Sequence, residues 1–467
     1  MRRPIWLFFT IVLLAALMFQ TTGQERLYSI APTQLPGTTR VMKTPGFWVS
    51  LHPTPDQVIM TPAEIQDFNN HLQNELKLIK DITQMPAEYP GEYLSSTLND
   101  VWKELRAKRF FGANGLRTGS SFYERIKANM NLDAIPLSIP VRYGFTVHFV
   151  DERVFPTDEG LYEMRGDFAF DELQNSDLDV GTPVAVLHQS RDGQWLYVQS
   201  SESTGWVKAH FVAFCSLEQI KAWVSSPRFV IVTQAKADLY LDPEMRQYYD
   251  YVRMGARFFG GDELNSAVLA LAVPRRNADG TLILVKGFIK KADVATGYLS
   301  YTPRTIIEQA FKLLNQPYGW GGMYGEQDCS RFLIEVFSTV GINLPRNSQD
   351  QAKAGEVVTQ FEASTKDPER LAALQKALGG ITILTLKGHI MLYLGMVEGK
   401  AYAIHAAWAY RERGFWGDRA RAINRVAVTE LSLGKGTQKK SWLDRLLSVN
   451  TITKYEPKPV ADKINVQ

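Results

Sequence analysis

The stretch of sequence that decides the fold is YGWGGMYGEQDCSRFLIEVF, which covers residues 318–337. Its first part is rich in glycine and predicts a tight turn. Its second part predicts a helix that begins at Cys329 and ends near Gly341. The partial positive charge of a helix N-terminus stabilises a thiolate and lowers the pKa of a thiol placed there. Cys329 is therefore a candidate nucleophile; a buried structural thiol, the alternative, is more typical of the middle of an apolar helix.

Two predicted strands downstream each carry a histidine. GHIMLYLG at residues 388–395 begins with His389, and AYAIHA at residues 401–406 contains His405. The segment between them predicts a tight turn, so the two strands are antiparallel neighbours and can present both rings on one face. We predict that His389 accepts the thiol proton and that His405 orients His389 through its other ring nitrogen. A single histidine on a strand is more often structural.

The N-terminus predicts export. Arg2 and Arg3 precede an apolar run over residues 4–19, and small polar residues follow. This pattern is typical of a secretory signal peptide, residues 1–23, cleaved after Gly23. An uncleaved membrane anchor is the alternative, although the run is shorter than the ~20 residues that a span needs. We therefore expect the protein in the periplasm or cell envelope.

The rest of the chain divides into five units. Residues 24–140 are partly helical, with a capping box at Thr61 and a second helix over residues 96–108. Short strands and Asp-Gly turns predict two small all-β units, residues 141–216 and 217–297. The generic alternative for both is a β domain that only packs against its neighbour. Residues 298–450 form the catalytic domain, and residues 451–467 a C-terminal tail.

Composition excludes several classes of function. The chain of 467 residues is 45% apolar and 22% charged, as in globular proteins, and its 52 basic residues nearly balance its 49 acidic ones. The sequence therefore shows no basic stripe that would bind nucleic acid. No metal-binding or phosphate-binding motif is present, so we expect no metal and no cofactor. Cys215 ends an apolar strand and is predicted to be a small buried residue rather than a disulfide partner of Cys329.

These motifs resemble the NlpC family of papain-like cysteine peptidases. The resemblance rests on the glycine-rich turn, on Asp-Cys-Ser, on both histidine strands and on LPRNS at residues 344–348. Residues 142–144, 155–157, 174–176 and 205–207 resemble the first SH3-like domain of multidomain members. The resemblance implies an α+β papain-like catalytic domain preceded by two all-β SH3-like barrels and a partly helical N-terminal segment. Arg331 departs from the family pattern, in which glycine is frequent; its side chain is expected either in the groove or on the outer side of the helix.

The resemblance also implies a reaction and a substrate. Cys329, His389 and His405 match a catalytic triad that hydrolyses the γ-D-Glu–diamino acid bond of peptidoglycan stem peptides, L-Ala-γ-D-Glu-diamino acid. The Asp328 carboxylate is expected to bind the free α-ammonium group of L-Ala; a role only at the helix start is the alternative.

Further contacts to this substrate follow from the same match. Ser330 and Ser348 are implied polar contacts, and Tyr197 of the first barrel is implied as another wall of the site. We expect a monomer. Two other functions remain open: a wall-binding or scaffolding protein with an inert domain, and a papain-like amidase or acyltransferase that acts on another amide.

Overall fold

The structure is a computed structural model that describes residues 28–415 and 417–455. The predicted signal peptide lies outside these residues. Within them, no helix is both long enough and apolar enough to cross a membrane. Three seven-stranded sheets form the framework of the described chain, and a two-stranded ribbon accompanies them.

The N-terminal segment is mainly helical. Its elements are β1 (Ser29–Ile30), α1 (Pro45–Leu51), α2 (Pro62–Asn70), β2 (Glu88–Pro90), α3 (Gly91–Ala107), α4 (Ser120–Asn129) and β3 (Ser138–Pro140). The predicted capping box is present, because Thr61 accepts the N–H of Glu64 while the Glu64 carboxylate accepts the N–H of Thr61. The second helix, expected over residues 96–108, begins earlier, at Gly91 directly after Pro90.

This segment does not form one unit. Its first part, with Trp48, Met60 and Phe68, packs into the core of the C-terminal domain, and β1 adds a parallel edge strand to that domain's sheet. Its second part, with Leu98 and Trp102 of α3, packs against the first β unit. Most of the predicted domain of residues 24–140 is therefore divided between two hydrophobic cores, while Ala31 and Leu35 lie in a third cluster and Ile82 in a fourth.

The two β units each contain one seven-stranded sheet. The first has β4 (Arg142–Thr146), β5 (Val150–Arg153), β6 (Gln174–Leu178), β7 (Pro183–Gln189), β8 (Trp195–Gln199), β9 (Thr204–Lys208) and β10 (Val212–Cys215). After α5 (Leu217–Ser225), the second has β11 (Phe229–Val232), β12 (Lys236–Tyr240), β13 (Tyr248–Arg253), β14 (Arg257–Glu263), β15 (Val268–Arg276), β16 (Leu282–Lys290) and β17 (Val294–Thr296). Both predicted hairpins form: β7 pairs antiparallel with β8, and β15 with β16.

The C-terminal domain packs helices against a mostly antiparallel sheet. Its elements are α6 (Pro303–Lys312), α7 (Cys329–Ser338), α8 (Ser348–Gln351), β18 (Glu356–Gln360), α9 (Asp367–Lys376), β19 (Thr382–Leu386), β20 (His389–Val397), β21 (Lys400–Gly414), β22 (Gly417–Glu430) and β23 (Leu446–Thr451). The strand order is β1-β22-β21-β20-β19-β23-β18. Ile452, in the predicted tail, is fully buried and donates its N–H to Ile381, so ordered chain continues past residue 450.

Strand β6 of the first unit fixes the loop that precedes α7. An ideal Cβ on Gly322 would lie 2.1 Å from Oδ2 of Asp177, and Gly322 also has a φ of +87°. Asp177 cannot move aside easily, because Arg253 of the second unit and Arg331 of α7 both bind its carboxylate. Glycine is therefore required at position 322 for space as well as for backbone conformation.

We predict that Gly322→Ala destabilises the protein more than Gly399→Ala does. Both glycines have positive φ, but nothing lies within 4 Å of an added Cβ at Gly399. Gly399→Ala, the control, should lower the free energy of unfolding only by the backbone cost of about 1 kcal/mol. In Gly322→Ala the clash with Asp177 should lower it by about 1–3 kcal/mol more. Thermal unfolding of the two variants measures the difference. Equal losses of stability in the two variants would show that Asp177 moves aside at no cost.

Candidate active site

Cys329 is the first residue of α7. Asp328 caps the helix, because its Oδ1 accepts the N–H groups of Ser330 (3.1 Å) and Arg331 (2.8 Å). The Cys329 thiol is buried and lies beside the backbone N–H of Ile390, the residue that follows His389. The turn and the cap thus bring the cysteine to the start of strand β20, as the sequence predicts.

His389 and His405 are joined in one chain of hydrogen bonds. Nε2 of His389 lies 2.6 Å from Nδ1 of His405, and Nε2 of His405 lies 2.8 Å from the hydroxyl of Thr429 on β22. His405 and Thr429 are fully buried. The indole of Trp442 stacks on the His389 ring and meets the His405 ring edge-on. Both rings are therefore held in place by contacts on more than one side.

The hydrogen bonds of His389 and His405 fix which ring nitrogen could act as a base. Nε2 of His389 contacts His405, so Nδ1 is the nitrogen of His389 that is free of this contact. A general base needs an unprotonated nitrogen. A base at Nδ1 therefore requires the tautomer in which Nε2 of His389 donates to Nδ1 of His405, and His405 then donates from Nε2 to Thr429.

Burial sets the charge states of the Cys329 thiol and the His389 imidazole. It raises the pKa of the Cys329 thiol to about 12, and the negative Asp328 adds to this effect. Burial likewise lowers the pKa of His389 to about 3, with a further contribution from the positive Arg445. The expectation that the helix N-terminus lowers the thiol pKa is not met, because desolvation and Asp328 outweigh the helix dipole. The thiol of Cys329 and the imidazole of His389 therefore both rest uncharged.

Asp328 forms a buried, bidentate ion pair with Arg346. Nη2 of Arg346 donates to Oδ2 of Asp328 at 2.8 Å, and Nη1 donates to Oδ1 at 3.2 Å. This pair and the helix cap lower the pKa of Asp328 although burial opposes them. The alternative role at the helix start is thus present in the structure. Oδ2 accepts only one of these bonds, so it retains room for one more donor.

The other residues predicted to contact the substrate differ in whether their polar groups are already bonded within the protein. The Ser330 hydroxyl donates to Asp328 and accepts from Arg346, so it is engaged within the same cluster. Ser348 begins the short helix α8 and is half-buried. Tyr197 is buried in the first unit, where its ring packs against Trp206 with centroids 5.3 Å apart.

Arg331 points to neither of the two expected places. Its guanidinium is buried against the first unit, where it pairs with Glu202 at 2.9 Å and donates to the Ser176 hydroxyl at 3.1 Å. It also lies 3.4 Å from a carboxylate oxygen of Asp177. An arginine at this position therefore joins the catalytic helix to the neighbouring sheet.

Sequence reasoning missed three residues of the site. Arg346 belongs to the LPRNS motif at residues 344–348, and an arginine that follows Asp-Cys-Ser so closely is a signal for an ion pair with Asp328. Thr429 carried no local signal. Glu152 is fully buried with one unpartnered oxygen, and burial raises its pKa to about 7. Glu152 raises the pKa of Tyr197 and is itself stabilised by Arg346, so it connects the barrel residue to the Asp328 cluster.

Both cysteines are free thiols, so the disulfide that the sequence argued against does not form. Burial raises the pKa of Cys215 to about 12. Within residues 28–415 and 417–455, no group of three histidine, cysteine or acidic side chains is placed to hold a metal ion.

Two parts of the chain match family models. Residues 315–412 match the NlpC/P60 family, and residues 162–208 match the SH3 domain of the SH3b1 type. The first match contains Cys329, His389 and His405, and the second contains Tyr197. The resemblance inferred from the motifs is confirmed. That the second sheet is also SH3-like stays a prediction.

Similar proteins agree with these matches. The chain is 26% identical over 155 residues to the bifunctional muramidase/DL-endopeptidase CwlT of Bacillus subtilis (strain 168), which is 32% of this chain and 44% of the relative. It is 33% identical over 110 residues to a gamma-D-glutamyl-L-lysine dipeptidyl-peptidase of the same organism, 23% of this chain and 35% of that one. The chain thus spans less than half the length of either relative.

The fold also has a counterpart among solved structures. An NlpC/P60 endopeptidase from Photobacterium damselae subsp. piscicida matches with a TM-score of 0.74 and 21% identity, over 92% of this chain and 100% of that one. The predicted fold class, an α+β domain preceded by β units and a helical segment, is confirmed.

We predict that His389 is neutral at pH 6 and remains so in Cys329→Ala. A pKa lowered to about 3 keeps the ring unprotonated throughout this range, and a neutral thiol contributes no charge whose removal would shift it. Nuclear magnetic resonance of ring-labelled histidine measures both states. A protonated ring in the wild type that becomes neutral in Cys329→Ala would instead reveal a thiolate–imidazolium pair.

Proposed function

Because the chain carries an NlpC/P60 domain and an SH3 domain of the SH3b1 type, we propose that it is a cysteine endopeptidase. Its substrate is the peptidoglycan stem peptide, cleaved between γ-D-Glu and the diamino acid. The observation that carries this proposal is the hydrogen-bonded chain of the half-buried His389 with the buried His405 and Thr429, next to a cysteine at a helix start. One relative is named a gamma-D-glutamyl-L-lysine dipeptidyl-peptidase and another a DL-endopeptidase, and both names support this proposal.

The reaction follows from the proton positions. Nδ1 of His389 takes the proton of the Cys329 thiol as the sulfur attacks the carbonyl carbon of the γ-D-Glu side chain. The backbone N–H of Cys329, one of the unpaired donors of the helix start, stabilises the oxyanion that forms. His389 then gives its proton to the departing amine of the diamino acid. Water, activated by the same imidazole, releases the acyl group from sulfur.

Proton transfer from a neutral thiol is compatible with catalysis. The two pKa values lie far apart in the free protein, so the thiolate forms only together with attack. The protonated His389 that results is stabilised by the negative charge of Asp328. His405 supplies an acceptor for the second ring proton, as the third member of a triad does.

Recognition of the acyl part is assigned to the cluster around Asp328. The free lone pair of its Oδ2 accepts an N–H from the α-ammonium group of L-Ala, while Arg346 holds the carboxylate in position. Glu152, with its unpartnered oxygen, is a second acceptor on the barrel side. Ser348 and Tyr197 complete the walls. These contacts favour peptides already released from the sugar strand, because attachment there removes the ammonium charge.

The place of action is the cell envelope. The predicted export signal and a substrate found in the wall both require it, and the SH3 domain forms part of the site rather than a detached module. Barrel residues Ser176 and Asp177 contact arginines of the catalytic domain directly.

We predict that Cys329→Ala abolishes cleavage of L-Ala-γ-D-Glu-diamino acid, while Cys215→Ala retains nearly all of it. Cys215 lies on β10 of the first sheet, outside the residues of the site. Incubation with defined muropeptides, with products identified by mass, measures both. Turnover by Cys329→Ala close to the wild-type rate would overturn the mechanism.

We predict that His389→Ala loses nearly all turnover and His405→Ala loses less, because orientation is one part of what a base contributes. His405→Ala should also change the pH dependence of kcat, since the proton on Nε2 of His389 loses its acceptor. A pH–rate profile of His405→Ala that equals the wild type in height and shape would remove His405 from the triad.

We predict that peptides with a free L-Ala are cut about tenfold faster than N-acetylated ones. Acetylation leaves the Oδ2 lone pair of Asp328 without a charged donor, and the ion pair with Arg346 limits the loss. Asp328→Asn, which keeps a good helix cap, should reduce this ratio mainly by slowing the free peptide. Asp350→Asn, in the neighbouring helix α8, is the control. Equal rates on both peptides in the wild type would leave Asp328 with its capping role only.

A further inference from the structure

A cavity of about 280 Å³ lies between the end of α3 and the start of α4. No residue of the candidate active site lines it, and none of its eight lining residues is acidic. Half of them are basic: Arg106, Lys108, Arg109 and Arg117. Positive charge is therefore concentrated here, although the basic and acidic residues of the whole chain nearly balance.

The three arginines of this cavity have no counter-ion. In residues 28–415 and 417–455, no carboxylate forms an ion pair with their guanidinium groups, and none of them donates a hydrogen bond to the protein. Lys108, by contrast, has acids nearby, because its Nζ lies 3.8 Å from Glu104 and its charge also acts on Glu172. The arginines therefore keep their N–H donors available for a ligand.

Aromatic rings orient two of these arginines. The guanidinium carbon of Arg106 lies 4.9 Å from the ring centroid of Trp102, and that of Arg117 lies 5.7 Å from the ring centroid of Phe111. A cation–π contact holds a guanidinium group in place and leaves its charge intact. The two cations are thus partly preorganised, which lowers the entropy cost of binding an anion.

Two hydroxyl groups of the cavity wall have no hydrogen-bond partner among the described residues. Tyr123, in the first turns of α4, is only 5% exposed, yet its hydroxyl is unpartnered. The hydroxyl of Thr118, just before the helix, is also buried and unpartnered. Buried polar groups normally have a partner, because leaving one unsatisfied is costly. A ligand oxygen in the cavity would supply the acceptor that both hydroxyls lack.

The start of α4 borders the same cavity. Ser120, the first residue of this ten-residue helix, lines it. Gly119 before it provides no side-chain cap, and the first turn contains no acidic residue. The N–H groups at a helix start carry a partial positive charge and need acceptors. An anion in the cavity would satisfy them, as phosphate groups do at other helix starts.

We propose that this cavity is a binding site for a phosphate group. Its donors are of three kinds: guanidinium groups, backbone N–H groups and hydroxyls. A phosphate monoester offers three oxygens and a charge of about −1.5 to −2, and so matches this set better than a carboxylate with two oxygens and a single charge. Guanidinium groups also bind phosphate in a bidentate geometry.

The site gives the N-terminal segment a binding role of its own. It attaches the protein to a molecule that carries a phosphate monoester, either a soluble ester or a lipid headgroup. This inference does not rest on the proposed function, because the cavity shares no residue with the active site.

Isothermal titration calorimetry of the intact protein at pH 8 tests the site with inorganic phosphate, glycerol 3-phosphate and acetate. Both phosphates are dianions at this pH. We expect them to bind at least about tenfold more tightly than acetate. Equal affinity for acetate, or no binding of either phosphate, would overturn the proposal.

Two double variants assign the binding to the cavity. Arg109→Gln combined with Arg117→Gln should weaken phosphate binding at least about tenfold. Lys103→Gln combined with Arg125→Gln is the matched control, because it removes the same charge from the same segment. Both control residues pair with carboxylates outside the cavity, Lys103 at 3.1 Å and Arg125 at 2.9 Å. Equal weakening in the two double variants would reveal an effect of net charge alone and refute the site.

Tyr123→Phe separates a ligand contact from a structural role. The variant should weaken phosphate binding about threefold. It should leave the thermal unfolding of the ligand-free protein unchanged or shift it upward, because the hydroxyl has no partner to lose. An unaltered phosphate affinity would remove the buried hydroxyl from the site and, with it, the proposal.

Lipid vesicles identify the carrier of the phosphate group. Phosphatidic acid presents a phosphate monoester, whereas phosphatidylglycerol presents a diester. Cosedimentation with phosphatidic acid vesicles that inorganic phosphate reverses, and that the cavity double variant lacks, would identify a lipid headgroup. Binding of glycerol 3-phosphate without binding to vesicles would identify a soluble ester, and either result supports the site. Equal cosedimentation with both vesicle types would show attraction to any anionic surface and contradict the proposal.

Discussion

The buried carboxylate of Asp177 is the interaction on which the rest of the structure depends. It lies at the junction of three units, and arginines from the other two, Arg253 and Arg331, bind it. A charge without solvent is costly unless it is paired, so Asp177 would be left as a buried, unpaired ion if both arginines were removed. The paired Asp177 lies close to Gly322, so β6 packs directly against the glycine-rich loop before α7. This loop leads into the helix that begins with Cys329.

Burial then determines the chemistry of the site. The same desolvation raises the pKa of the Cys329 thiol and lowers that of the His389 imidazole, so both groups rest uncharged. The hydrogen bonds to His405 and Thr429 fix which nitrogen of His389 is free. In the proposed mechanism, the thiolate therefore appears only when a carbonyl carbon is there to accept it.

Charge is arranged differently on the two sides of the nucleophile. Around Asp328 the opposite charges are balanced: Arg346 matches the carboxylate in a bidentate pair, and this holds the helix start rigid. Near His389 the positive charges of Arg445 and Lys439 lower the pKa of the imidazole. The surroundings of Asp328 and of His389 therefore differ in electrostatic character.

The sequence by itself determined what depends on neighbours in the chain. The capping box at Thr61, the hairpins of the two β units and the cysteine at a helix start are local patterns, because a turn or a cap involves residues only a few positions apart. The motifs in addition identified the family of the C-terminal domain. Tertiary structure decided what depends on residues brought together from distant positions: the division of residues 24–140 among several cores, the inward direction of Arg331, and the raised pKa of Cys329. Desolvation and ion pairing act through space, so no spacing along the chain could reveal them.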